Sequence, residues 1–174
     1  NLTAKVAGDA TIEEVQKQLN KNNQFIPIGP FEKYITIKEI IDFNMLGCFC
    51  HQFGTIKKWL LNTELKIKGE TIQTGANVMK NVSGYDLTRI LINAQGSLGN
   101  VKSATFKLYP WVGGAFFISP ILDISSAISL SKILKVIGLQ LVKIGSNVQI
   151  IVHSNTLPGT GFIEYKKPIQ KFIQ

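Results

Sequence analysis

Three glycines, Gly84, Gly96 and Gly99, lie close together in the stretch KNVSGYDLTRILINAQGSLGNV, residues 80–101. Glycine in a folded segment costs backbone entropy, so such a group indicates either tight turns or close approach of the main chain to a bound molecule. A dinucleotide pyrophosphate is one such molecule, because bare amide N–H groups can surround it. In the alternative interpretation, the glycines only make turns around a short helix capped by Asp86. The residues alone favour this structural interpretation.

A second group of residues with reactive side chains is Cys48, Cys50 and His51 in the stretch GCFCHQ. A structural zinc site requires four ligands, and the other histidine, His153, has no companion cysteine. We therefore expect no metal site, and we expect the thiols to be free and buried or half-buried. Because no disulfide framework is visible, a reducing compartment is favoured and the predicted location is cytoplasmic.

The chain of 174 residues has 19 basic and 11 acidic side chains and a net charge of +8. The lysines are scattered, with doublets at 57–58 and 166–167, whereas nucleic-acid-binding proteins usually cluster them on one face. We expect no nucleic-acid binding. A surface that docks an acidic partner protein remains an alternative. The longest apolar stretch, residues 118–137, is interrupted by a proline, an aspartate and two lysines, so no membrane span is predicted.

The first part of the sequence predicts strands around one amphipathic helix. The stretch TAKVAG is typical of a strand, and the helix after it begins at Thr11, with Glu14 completing a capping box. Alternating apolar residues in WLLNTELKIKGETIQTG predict a hairpin that turns at Gly69 and Glu70. The stretch VKSATFKLYP, residues 101–110, predicts a further strand.

The composition changes at Pro110 and Trp111, so we predict two domains, residues 1–110 and 111–174. In the second domain, DISSAISLSKILKVIG predicts a helix that is capped by Ser125 or Ser126 and ends at Gly138. The stretch NVQIIVHS predicts a strand after it. This order of elements is typical of an α+β unit.

The segment KNVSGYDL, residues 80–87, followed by Arg89 and the run Gly96-Ser97-Leu98-Gly99, resembles the flavin-binding domain of the vanillyl-alcohol oxidase and p-cresol methylhydroxylase family. Within that family it is most similar to FAD-binding subunits of the glycolate oxidase type. The resemblance implies an α+β fold. Residues 1–110 would form the second lobe of a p-cresol methylhydroxylase-type FAD-binding domain, a mixed or antiparallel sheet with flanking helices, and residues 111–174 the start of an α+β cap domain.

The resemblance also implies an FAD-linked oxidoreductase subunit that oxidises a small 2-hydroxy acid by hydride transfer to the flavin. The implied partner is a catalytic flavoprotein, an iron–sulfur subunit, or both. Catalytic residues stay unassigned. The residues implied to contact FAD are Thr36, Ile37, Lys80, Gly84, Tyr85, Asp86, Gly96, Ser97, Gly99, Asn100 and Val101.

The sequence departs from the family pattern at the turn that approaches the FAD pyrophosphate. The family has Thr-Ile-Gly-Gly there, whereas this chain has Lys38 and Glu39 after Thr36 and Ile37. The negative charge of Glu39 would repel a dianionic pyrophosphate. The family's first lobe would precede residue 1 and is not in this sequence. We therefore expect that residues upstream of residue 1 are missing. The alternative function is therefore a degenerate flavin-fold subunit without FAD, acting as a structural or assembly partner.

Overall fold

A computed structural model of the chain describes residues 2–29, 34–75, 87–111 and 113–165. The chain divides into two units. The first takes in residues 1–27, 33–46 and 55–111, and the second takes in residues 28–32, 47–54 and 112–174. Both units are built from antiparallel strands and short helices, which confirms the predicted α+β class.

The described residues contain five α-helices and ten strands. The helices are α1 (Ile12–Asn20), α2 (Ile37–Asp42), α3 (Cys50–Phe53), α4 (Leu87–Leu91) and α5 (Ile124–Ile133). The strands are β1 (Thr3–Ala7), β2 (Gln24–Phe25), β3 (Leu60–Ile67), β4 (Glu70–Gly75), β5 (Asn100–Lys107), β6 (Tyr109–Pro110), β7 (Ala115–Ile118), β8 (Gly138–Ile144), β9 (Asn147–Ser154) and β10 (Ile163–Glu164).

The main sheet of the first unit has the strand order β1-β5-β3-β4, and every neighbouring pair is antiparallel. The predicted hairpin is confirmed as β3–β4, but its turn lies at Lys68 and Gly69, one residue earlier than predicted, and Glu70 begins β4. Helix α2 lies against β5 and contributes three isoleucines with no exposed surface: Ile37, Ile40 and Ile41. Burial of these side chains is the main stabilising contribution of so short a helix.

Helices α1 and α2 each begin with a capping box. In α1 the Thr11 side chain accepts from the Glu14 N–H, and the Glu14 side chain accepts from the Thr11 N–H, as predicted. Thr36 and Glu39 form the same pair at the start of α2. The Thr-x-x-Glu spacing that signals a capping box is therefore present twice in this sequence.

The second unit has a sheet of order β10-β7-β9-β8. Its central strand, β9, is buried along both faces. One face carries Val148, Ile150 and Val152, which pack in a cluster with Phe117, Ala127 and Phe162. Residues Gly47–Gly54, here named the strap, also belong to this unit and contact β8 through α3.

Helix α5 differs from the prediction at both ends. Its N-cap is Asp123, whose side chain accepts from the Ser126 N–H at 2.9 Å, so the prediction of a serine cap is wrong. The helix ends at Ile133, and the predicted C-cap Gly138 instead begins β8 and pairs with His153. The β8–β9 hairpin was not predicted, because the apolar residues of LKVIG continue the helical spacing of the preceding turns.

The helices in the part of the chain that the structure describes are short. None of the helices there is long and apolar enough to cross a bilayer. The longest, α5, has 10 residues.

Candidate functional site

The predicted cofactor contacts fall at three places in the chain. Thr36 and Ile37 lie at the start of α2, and residues 96–101 form the turn into β5 together with its first residues. The remaining predicted contacts, Lys80, Gly84, Tyr85 and Asp86, lie outside the described residues. The geometry of the first two places decides what they can bind.

At the start of α2, the backbone amides already donate to protein acceptors. The Thr36 N–H donates to Glu39 Oε2 at 2.8 Å, and the Glu39 N–H donates to Thr36 Oγ1 at 3.3 Å. The Ile37 N–H donates to the Ala10 carbonyl at 3.0 Å, and the Lys38 N–H donates to the Gly8 carbonyl at 2.8 Å. No amide of residues 36–39 is left to hold an anion.

The Glu39 carboxylate adds an electrostatic obstacle at the same point. Hydrogen bonds from the Thr36 side chain and backbone hold the pKa of Glu39 below its usual range, so the group is ionised at neutral pH. A carboxylate fixed beside a helix start occupies the place that a phosphate group would otherwise take. The start of α2 therefore does not fit a pyrophosphate.

The turn that carries Gly96 and Gly99 is held by its own amides and by the end of α2. The Asn93 N–H donates to the Ile41 carbonyl at 3.0 Å, and the Gln95 N–H donates to the Asp42 carbonyl at 3.0 Å. Gly96 and Gly99 have φ angles of +75° and +135°. Such angles favour glycine, so tight turning accounts for both glycines.

Amides farther along the same turn are also engaged. The Ser97 N–H donates to the Ala94 carbonyl at 2.9 Å, and the Gly99 N–H donates to the Gly96 carbonyl at 3.2 Å. Ser97 itself is exposed. The turn is thus a surface turn closed by its own hydrogen bonds and by those to the end of α2, which leaves its outer side for a cofactor.

Asp42 connects α2 to this turn from a buried position, with 6% of its surface exposed. Its carboxylate accepts from the Gly96 N–H. Burial raises the pKa of Asp42, while the Lys38 ammonium and the Gly96 N–H oppose that change and Glu39 adds to it. Asp42 is a residue that sequence reasoning did not select, because a carboxylate at a helix end is ordinarily exposed.

The raised pKa of Asp42 predicts how stability depends on pH. A carboxyl group whose folded pKa lies above the unfolded value costs stability when ionised, and this cost disappears below the ordinary aspartate pKa of about 3.9. Asp42→Asn should therefore raise the free energy of unfolding at pH 7, with the gain shrinking toward zero near pH 3. Urea denaturation at both pH values measures this, and Asp9→Asn is an exposed control. An equal gain at both pH values would contradict the prediction.

A small pocket of about 190 Å³ lies between the end of β1, the start of α2 and the start of β5. Its described lining residues are Asp9, Lys38, Asn100, Val101 and Lys102. Two ammonium groups and one carboxylate leave a single net positive charge, which suits a small anion better than a whole dinucleotide. The pocket brings two predicted contacts, Asn100 and Val101, beside Lys38.

The cysteines and the buried histidine lie in the second unit. Both thiols are free; Cys48 is buried and Cys50 is half-buried, as predicted. Burial raises the pKa of Cys48 to about 12 and also raises that of Cys50, so neither is a ready thiolate. Burial lowers the pKa of His153. In the described ranges, no group of three or more His, Cys, Asp or Glu residues is placed to hold a metal ion.

Comparison with known proteins relates this α+β scaffold to oxidoreductases. No family model matches the chain. It is 32% identical over 112 residues to glycolate oxidase subunit GlcD of Bacillus subtilis (strain 168), covering 63% of this chain and 24% of that protein. It is 26% identical over 111 residues to D-lactate dehydrogenase of Archaeoglobus fulgidus, covering 63% of this chain and 25% of that protein.

A third relative extends the match toward the end of the chain. The mitochondrial D-lactate dehydrogenase [cytochrome] of Kluyveromyces lactis is 28% identical over 145 residues, covering 81% of this chain and 25% of that protein. A match of that length cannot lie wholly within residues 1–111, so it includes part of the second unit. The chain is thus homologous to glycolate oxidase subunits and D-lactate dehydrogenases, which confirms the predicted resemblance, and it spans about a quarter of their length.

Proposed function

We propose that this chain is part of an FAD-linked oxidoreductase that oxidises a small 2-hydroxy acid. The observation that carries the proposal is the homology to a glycolate oxidase subunit and to D-lactate dehydrogenases. Glycolate and lactate are both small 2-hydroxy acids. Because a match covering 63% of the chain must include its middle, the similarity takes in the glycine-containing segment that carries the flavin-domain resemblance.

In this proposal the chain makes only part of the FAD site. The predicted contacts that stay in the proposal are Lys80, Gly84, Tyr85, Asp86, Gly96, Ser97, Gly99, Asn100 and Val101. The start of α2 does not fit the pyrophosphate, because Glu39 and the protein acceptors at Ala10 and Gly8 use its amides. The phosphates would then be held mainly by another part of the protein or by a partner subunit.

The capping box of Thr36 and Glu39 also favours a second candidate function. The turn that would approach the pyrophosphate is here the capped start of α2. The hydrogen bonds and the charge of that cap give a physical reason for the loss of FAD binding. The chain would then serve as an assembly partner for a catalytic flavoprotein or an iron–sulfur subunit. The Bacillus subtilis relative is named as a glycolate oxidase subunit, which supports a multi-chain arrangement for this protein as well.

The visible absorption spectrum of the purified chain separates the two functions. Flavin bands, present at purification or appearing on titration with FAD, support the oxidoreductase proposal. A protein that stays colourless and does not change the fluorescence of added FAD supports the assembly role. Oxidation of glycolate and D-lactate with an artificial electron acceptor then tests the substrate class in any preparation that carries flavin.

Glu39→Gln tests whether the start of α2 faces the cofactor. Glutamine at this position keeps the reciprocal capping hydrogen bonds but removes the negative charge. If the pyrophosphate lies nearby, FAD affinity should rise about threefold to tenfold, since one repulsion between charges is removed at a partly solvated site. Fluorescence titration with FAD measures the affinity.

The matched control for this variant is Glu14→Gln. It makes the same change in the same type of capping box, at the start of α1. FAD affinity should be unchanged by Glu14→Gln. Equal effects of the two substitutions would show that α2 does not lie beside the cofactor.

A further inference from the structure

The second unit contains an open cleft of about 610 Å³. Three segments form it: the strap, the stretch between α5 and β8, and the turn that follows β9. Its lining residues are His51, Gln52, Leu134, Lys135, Val136, Ile137, Ser154, Asn155 and Thr156. The volume lies within the range of roughly 300–1,000 Å³ that is usual for small-molecule sites.

The polar side chains of the cleft can all donate hydrogen bonds, and Lys135 can only donate. Lys135 supplies an ammonium group, His51 an imidazole N–H, and Gln52 and Asn155 supply amide NH₂ groups. The described lining residues include no aspartate or glutamate. A site that combines a positive charge with several donors and no carboxylate favours an anion.

One wall of the cleft is apolar. Leu134, Val136 and Ile137 line it and are half-buried, and Leu134 and Val136 also pack against the core cluster of the unit. An apolar wall of this kind gains free energy when it covers an apolar part of a ligand. A bare inorganic anion would use the donors but leave this wall in contact with water.

The three segments are held in place by hydrogen bonds within the second unit. The Ile137 N–H donates to the His153 carbonyl at 3.0 Å, and the Leu139 N–H donates to the Cys48 carbonyl at 2.9 Å. The Thr156 N–H donates to Ser154 Oγ at 3.3 Å. These bonds form the backbone of the cleft before any ligand arrives, and binding then has to order the exposed side chains of His51, Lys135 and Asn155.

We propose that this cleft binds a small organic anion, a carboxylate joined to an apolar group. Lys135 pairs with the carboxylate, His51 and Asn155 donate to it, and Val136 and Ile137 contact the apolar group. All residues of the site lie in the second unit, whereas the predicted FAD contacts that the structure describes lie in the first. It can therefore be tested on the chain whatever the outcome of the flavin experiments.

Titration of the ¹⁵N-labelled full chain with benzoate, benzyl alcohol and inorganic phosphate tests the proposal. Benzoate has both the carboxylate and the apolar ring, whereas each of the other two probes lacks one of them. We expect saturable amide shifts at residues 134–137 and 154–156 with benzoate, and at least fivefold weaker binding of the other two. Equal binding of benzyl alcohol would overturn the role of charge, and equal binding of phosphate would overturn the role of the apolar wall.

Two substitutions then locate the binding. Lys135→Gln should weaken benzoate binding about fivefold or more, because it removes a charge-assisted hydrogen bond. Lys143→Gln removes an exposed lysine of β8 that does not line the cleft, and it should leave the affinity within twofold. His51→Gln provides a second variant in the strap. Equal losses with Lys143→Gln and Lys135→Gln would overturn the site, since net charge alone would then explain binding.

Discussion

Phe49→Ala should lower the free energy of unfolding by about 3–5 kcal/mol, the usual cost of removing a fully buried phenylalanine. Phe49 is 4% exposed and lies in the strap. Its ring centroid is 5.1 Å from that of His153 and 6.1 Å from that of Phe116. The substitution would leave a cavity against the central strand of the second unit, and urea denaturation monitored by circular dichroism measures the loss.

Phe43→Ala is the matched control, because Phe43 is 57% exposed. It should change the free energy of unfolding by no more than about 0.5 kcal/mol. Similar losses for the two variants would mean that the strap is not a buried part of the second unit. A fragment of residues 112–174 supplies a second test, since it lacks Phe49 and Cys48 and should fail to fold cooperatively.

The elements that the sequence predicted well are those determined by neighbouring residues. Helix α1 has its capping box at Thr11 and Glu14 and its buried Ile12 and Val15 at helical spacing. The β3–β4 hairpin has apolar Leu65 and Ile67 alternating with Lys66 and Lys68, and a glycine in its turn. Such local signals do not depend on the rest of the fold, so they can be interpreted from the sequence alone.

The elements that were missed depend on distant residues. Gly138 fits a helix C-cap locally, yet it begins β8 because this stretch pairs with β9. Similarly, nothing in the stretch GCFCHQ indicates that Cys48 and Phe49 pack against a sheet built more than 60 residues later in the chain. In both places pairing or burial against distant residues outweighs local preference.

The candidate site shows the same division between local and distant effects. Lys38 and Glu39 stand where the resemblance implies two glycines, and both they and the charge of Glu39 were visible in the sequence. The carbonyls that accept from the α2 amides could not be predicted, because Gly8 and Ala10 lie beside α2 only through the arrangement of β1 and α2. The burial of Asp42 depends in the same way on the turn that packs over it.

Gly8→Ala should lower the free energy of unfolding by about 3–5 kcal/mol. A Cβ atom at Gly8 would lie 2.2 Å from the Val101 carbonyl oxygen, so β1 and β5 would have to separate. The separation would weaken two hydrogen bonds of 2.8 Å, from the Gly8 N–H to the Lys102 carbonyl and from the Lys38 N–H to the Gly8 carbonyl. Overpacking costs about 1–3 kcal/mol and each lost hydrogen bond about 1 kcal/mol.

Gly145→Ala is the control for this substitution. No atom lies within 4 Å of a Cβ at Gly145, and the φ angle of +61° adds backbone strain of about 1–2 kcal/mol. Chemical denaturation of the two variants compares the free-energy cost of steric overlap at Gly8 with the cost of backbone strain alone at Gly145. If Gly8→Ala costs no more than Gly145→Ala, then Gly8 does not hold β1, β5 and α2 together. The positions of Lys38 and Lys102 around the small pocket would in that case need another explanation.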